Sequence, residues 1–148
     1  MTVAQDAERG VVPSSPTALY AVLVVTTVSL GGAVISVRAR LSPTYLDAIG
    51  PHGYLSVPLP MTAFQVLTAL AAGSRRRPLA LLGSGLLGLA VTLAVLSGFF
   101  DGGYADDRLD SAQRGYQVVL VLSLCVVAVL AAVRFLRVWR FGAEAGTE

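Results

Sequence analysis

The stretch Leu79-Ala-Leu-Leu-Gly-Ser-Gly-Leu-Leu-Gly-Leu-Ala-Val-Thr-Leu-Ala-Val-Leu96 contains no charged side chain and no proline. A helix packed in water needs a charged face at helical spacing, and this segment has none in any frame. The uncharged run continues from Pro78 to Phe100, a gap of 23 residues between Arg77 and Asp101. A helix rises about 1.5 Å per residue, so about 20 residues cross a hydrocarbon layer of about 30 Å.

The same feature recurs along the chain. No Asp, Glu, Arg or His falls in the 28 residues between Arg9 and Arg38, the 22 between His52 and Arg75, or the 19 between Arg114 and Arg134. Four such gaps predict an all-α integral membrane protein. Its four transmembrane helices lie near Thr17–Val37, Tyr54–Gly73, Leu79–Phe100 and Tyr116–Leu136, arranged as an antiparallel bundle. Composition agrees. Only 14% of the 148 residues are charged and 55% are hydrophobic, with a mean hydropathy of +0.71, against about 25% charged in soluble domains. A soluble bundle and a disordered chain are both excluded. The net charge of +2 does not call for a nucleic-acid partner.

The second segment is the least regular, with Pro58 and Pro60 in its first half and Gly50, Pro51 and Gly53 just before it. It either starts late, near Pro60, or bends at the prolines. Started late, it is too short to cross alone. A kinked or partly unwound approach, lined by protein, is therefore expected. The first segment is read as a retained helix rather than a signal peptide, because its apolar run exceeds the usual core of about 7–15 residues.

Three domains follow: an N-terminal tail at 1–16, a transmembrane domain at 17–137 and a C-terminal tail at 138–148. With four crossings, both termini share a side with the Ser74–Pro78 turn. That side holds Arg9, Arg75, Arg76, Arg77, Arg134, Arg137 and Arg140, whereas the other holds Arg38, Arg40, Arg108 and Arg114. The positive-inside rule places both termini in the cytoplasm and the protein in the plasma membrane. The fourth helix is expected to run past the bilayer. There Arg134, Arg137, Trp139 and Arg140 would meet lipid headgroups, as a generic anchor or as a specific anionic-lipid contact.

Packing is expected along small faces: Ala80, Ser84, Gly88 and Thr92 on the third helix, Ser29 to Ser36 on the first, and Cys125, Ala128 and Ala132 on the fourth. These are read as seams within the chain rather than dimerisation motifs. The single cysteine excludes an internal disulfide.

Chemistry has few places to reside. No ionisable group lies inside any span, which argues against a proton-coupled pathway. His52 alone cannot make a bis-histidine haem site or a histidine-rich metal site, and no cofactor or metal is assigned. The mid-span amide of Gln65 needs a partner, with Thr26, Thr27 and Ser29 as candidates. Gln65, Gln117 and Tyr54 are the candidate ligand contacts. The outer loops supply His52, Asp101 and Arg114 as candidate catalytic residues, with Asp47 beside His52. Asp101, Asp106, Asp107 and Asp110 have the chemistry to hold a divalent cation, but Asp-Gly-Gly is also an ordinary turn signal.

The end of the first helix, Ser29-Leu-Gly-Gly-Ala-Val-Ile-Ser36, followed by an outer loop and a proline-bearing second helix, resembles the small four-helix membrane proteins related to anthrone oxygenases, which are common in actinobacteria. Members of that group tend to carry a Pro-Thr-Asn-like stretch after the third helix, where this chain has Phe99-Phe100-Asp101-Gly102-Gly103. They also tend to carry a histidine and an arginine before the fourth, of which Arg114 alone has a counterpart here. The resemblance implies a lipophilic aromatic substrate. The residues themselves point to a non-catalytic bundle that binds lipid or a membrane partner. A cofactor-poor membrane enzyme acting on a lipophilic metabolite is the first alternative, and a homo-oligomeric exporter or immunity protein the second.

Overall fold

Long uncharged runs satisfy their backbone groups most economically as helices, since each N–H finds its acceptor within the same segment. The computed structural model describes residues 11–50, 55–100 and 107–144. Among these it contains five helices: α1 (Thr17–Arg38), α2 (Tyr45–Ala48), α3 (Leu59–Ala72), α4 (Arg77–Phe100) and α5 (Ser111–Glu144). No strand occurs among the described residues, only an isolated bridge between Val11 and Arg76. The fold is all-α. Three segments, Thr17–Arg38, Arg77–Gly98 and Ser111–Phe141, are long and apolar enough to cross a membrane.

The first and third uncharged runs fold close to their expected limits. The fourth starts earlier, at Ser111, because Asp110 caps it. The Gln113 N–H donates to Asp110 Oδ1 at 2.8 Å, and the Asp110 N–H donates to Gln113 Oε1 at 3.0 Å, a reciprocal capping box. At its other end α5 runs on to Glu144, and its 34 residues extend about 51 Å.

The second run departs most from a plain helix. α3 has 14 residues, with Pro58 at its N-cap and Pro60 in its first turn. Proline is tolerated there because the N–H it lacks would have no intrahelical partner. No proline lies in the interior of α3; of the expected kinked or partly unwound approach, the described residues show the unwound one. Residues 55–58 precede it in non-helical conformation. They are well buried, with Leu55 fully so and Ser56 and Val57 each 7% exposed.

Their polar groups are provided for. The Val57 N–H donates to Ser29 Oγ at 2.8 Å, Leu59 N–H donates to the Ile49 carbonyl at 2.8 Å, and the Ser56 hydroxyl donates to the Ala48 carbonyl. Gly32 makes this approach sterically feasible. A Cβ there would overlap the Leu55 carbonyl oxygen and crowd the ring of Tyr116. The small face on α1 is thus a seat for a non-helical segment.

α1, α3, α4 and α5 pack in cyclic order, most extensively between α4 and α5 and between α3 and α4. The core is built mainly from small and β-branched residues, including Val22, Val25, Ala69, Ala72, Val91, Val127 and Ala131, with Leu87 among them. Gly83 sits where a Cβ would overlap the backbone of Ala71 and Ala72.

The expected face Ala80–Ser84–Gly88–Thr92 holds only at its start: Ala80 and Ser84 are buried, while Thr92 is exposed. A four-residue step advances about 40° beyond a full turn, so three steps rotate the last residue by about 120°. Leu87 and Val91 replace Gly88 and Thr92 on the buried stripe. On α5 it is Ala131 that is buried, whereas Ala132 is exposed. Large apolar side chains point outward, among them Leu67, Leu82, Leu89, Leu93, Leu122 and Val129.

Gly32→Ala should lower the unfolding free energy in detergent by about 1–3 kcal/mol through overpacking. Gly115→Ala, with nothing within 4 Å of the added methyl, should be neutral or stabilising by up to about 1 kcal/mol. Thermal unfolding of both variants checks the pair.

Candidate functional site

Two ends of the helix array and its interior carry the polar side chains. At the end containing Arg75, residues 11–16 lie across the α3–α4 connection. The Val12 N–H donates to the Arg75 carbonyl at 2.8 Å, and the Val12 side chain is buried with Ala80 and Val138, beside Leu81 and Phe141. The described part of the N-terminal tail is therefore docked.

Arg134 on α5 fastens it. Its Nε donates to the Ala72 carbonyl at 3.1 Å, and its Nη2 donates to Pro13 at 2.6 Å and Ser74 at 3.4 Å. Ala72 is the last residue of α3, so the guanidinium meets carbonyls that the helix leaves unpaired, at the negative end of its dipole. Arg134, expected among headgroup phosphates, is committed to backbone oxygens.

Its neighbours are not so committed. Arg137, Trp139 and Arg140 are exposed. Trp139 is 57% exposed and meets Phe135 edge-on at 5.6 Å. Exposed Tyr20 lies at the same end, near the start of α1. Between the docked segment and α5 lies a cavity of about 520 Å³, whose walls include Val12, Ser15, Ala18, Val133, Arg134 and Arg137.

The opposite end gathers the candidate catalytic residue Arg114. Its Nε donates to the Leu109 carbonyl at 3.2 Å, and it pairs with Asp107 at 3.8 Å, both side chains being largely exposed. Such a surface pair contributes at most about 1 kcal/mol. Asp110 is engaged in capping α5. Asp47 accepts the Thr44 hydroxyl at 2.6 Å. His52, Tyr54, Asp101 and Asp106 lie outside the described residues. Among the described residues, no three His, Cys, Asp or Glu side chains gather to hold a metal.

Tyr116 is the residue at this end that the sequence did not single out as an anchor. Its hydroxyl donates to the Val28 carbonyl, and its ring rests in the notch left by Gly31 and Gly32. The Gly-Gly pair was the available signal. What it receives becomes visible only in three dimensions.

In the interior, Gln117 is buried on α5, and Gln65 on α3 is only 1% exposed. The hydroxyls expected to meet Gln65 are otherwise engaged. Thr26 and Thr27 turn back to the Val22 and Leu23 carbonyls at 2.9 and 3.0 Å, and Ser29 serves Val57. The Gln65 amide nitrogen has no hydrogen-bond partner among the described residues. An unpaired amide in an apolar interior costs about 2–7 kcal/mol, depending on the reference state.

Compared with known proteins, the chain matches no protein family, no curated protein and no solved structure.

Arg134→Ala removes three backbone acceptors' donor and should destabilise the protein by about 2–4 kcal/mol, read from unfolding in detergent. Gln65→Met keeps volume and removes the unpaired amide. It should raise stability by about 1–2 kcal/mol in the same assay.

Proposed function

We propose that the chain is a non-catalytic multi-pass membrane protein, an antiparallel four-helix bundle that binds lipid at its headgroup level. The observation that carries this reading is the apolar outer surface of the long helices. In the three long apolar helices only 33%, 28% and 22% of the residues in the most apolar windows are buried. The exposed large residues are mostly leucines and valines, while the interior is built from valine and alanine with a few leucines and buried serines. Water would not tolerate so continuous an apolar perimeter.

The fourth crossing is the segment through α3. Its 14 helical residues supply about 21 Å, and the four non-helical residues before it supply at most about 14 Å. Together they match a hydrocarbon layer of about 30 Å. Non-helical backbone at that depth is permitted where protein covers it, as α1 covers residues 55–57. The arginine bias puts both termini in the cytoplasm, with Tyr20 and Trp139 at the level of the interface.

Arg114, the one candidate catalytic residue among those described, is already engaged by Asp107 and the Leu109 carbonyl, which favours a structural role over a catalytic one. A second reading, a membrane enzyme or binder acting on a lipophilic metabolite, draws on the unpaired Gln65 amide, a donor in search of a ligand acceptor.

Topology tests the reading. In a Cys125→Ala background, Ser74→Cys and Ala105→Cys should react with a membrane-impermeant maleimide from opposite faces of the membrane. Labelling of both from one face would sink the four-crossing arrangement.

A further inference from the structure

The cavity at the Arg75 end is lined by two unlike surfaces. Val12, Ala18, Leu130, Val133 and Phe141 make an apolar wall, and Arg134 and Arg137 bring two positive charges. Its volume of about 520 Å³ falls within the range of small-ligand sites, about 300–1,000 Å³.

The two arginines differ in what they have left to give. Arg134 spends its Nε and Nη2 on carbonyl oxygens. Arg137, three residues further along the same helix, has no hydrogen-bond or ion-pair partner among the described residues. Asp47, Asp107 and Asp110, the carboxylates whose side chains are described, all belong to the opposite end. The cavity therefore presents positive charge that no described carboxylate compensates, beside a wall that favours hydrocarbon.

We propose that this cavity holds one anionic phospholipid, its phosphate on Arg137 and the start of its acyl chain against Val133 and Leu130. The proposal rests on the membrane reading above and names the ligand. A free anion would gain nothing from the apolar wall, and a zwitterionic lipid would bring its own ammonium group against Arg134 and Arg137 along with its phosphate. An amphiphile whose headgroup carries a net negative charge on its phosphate uses both. The cavity lies against α5 just before exposed Trp139 and Arg140, where a headgroup layer would meet the bundle. Arg134 then has a positioning role: it pins residues 12–14, which form the wall of the cavity facing α5.

The test uses the full chain reconstituted in nanodiscs of equal parts phosphatidylcholine and phosphatidylglycerol, then released into mild detergent for native mass spectrometry of retained lipid. Phosphatidylglycerol should be retained in preference to phosphatidylcholine. Arg137→Gln should lower that retention about fivefold, the factor equivalent to one arginine near a membrane surface. Val133→Trp, which fills the cavity and keeps the charge, should lower it as well. Arg75→Gln, which removes the same charge from the same end but outside the cavity, should leave it unchanged.

Equal retention of the two lipids would overturn the proposal. So would an Arg75→Gln loss as large as that of Arg137→Gln, since a diffuse field rather than a site would then be at work. Release of the lipid by millimolar inorganic phosphate would assign the arginine to a free anion instead and overturn it too. Each variant is compared at wild-type helicity by circular dichroism. Failure of the wild-type chain to enter nanodiscs contradicts the membrane reading itself, an outcome distinct from entry without lipid preference.

Discussion

The near absence of charge over most of the chain sets the solvent, and the solvent sets the packing. Leu82, Leu89 and Leu93 face outward on α4, while Ala80, Gly83, Ser84, Leu87 and Val91 face inward. In water so apolar an exterior would be unfavourable. Among lipid tails it carries no penalty, but tails as apolar as leucine supply no drive for helices to associate. What remains is close contact, and small residues provide it. Gly83 lets α4 approach the backbone of α3 at Ala71 and Ala72, and Gly88 lies against Ala131.

The same constraint bears on α3, a short apolar helix entered through non-helical residues. Backbone groups without water must find partners in the protein, and Ser29 with the Gly31–Gly32 notch makes that feasible for residues 55–57. Ser29 accepts the Val57 N–H, Gly32 admits the Leu55 carbonyl, and Tyr116 closes the notch from α5 with its hydroxyl on Val28. The short polar device on α1 thus joins α3 and α5 at the Asp47 end. Arg134 does the equivalent at the other end, tying residues 12–14, the α3 terminus and α5 through backbone oxygens.

The sequence made the apolar helices legible because a gap between charges is a property of composition along the chain, and it survives any detail of packing. The limits of α1 and α4 follow from it closely. Faces were harder. A small residue every fourth position looks continuous in sequence, yet Thr92 has rotated out to the surface, and Ala131 rather than Ala132 packs inward. The capping box at Asp110 and Gln113 has a local three-residue spacing, but Asp110 stands among loop carboxylates whose roles composition alone does not separate. Arg134 was not legible at all. An arginine three residues before another reads the same whether it meets a phosphate or a helix terminus, and its carbonyl partners come from residues sixty or more positions away, one of them near the start of the described chain. The need of Gln65 for a partner is legible, but the Thr26 and Thr27 hydroxyls satisfy their own helix first, a local preference of threonine.

Extraction of cell membranes with alkaline carbonate addresses the question of solvent most directly. The chain is expected to stay in the membrane pellet and to become monodisperse only once detergent is added. Release into the carbonate supernatant as a species that remains monodisperse without detergent would contradict the account.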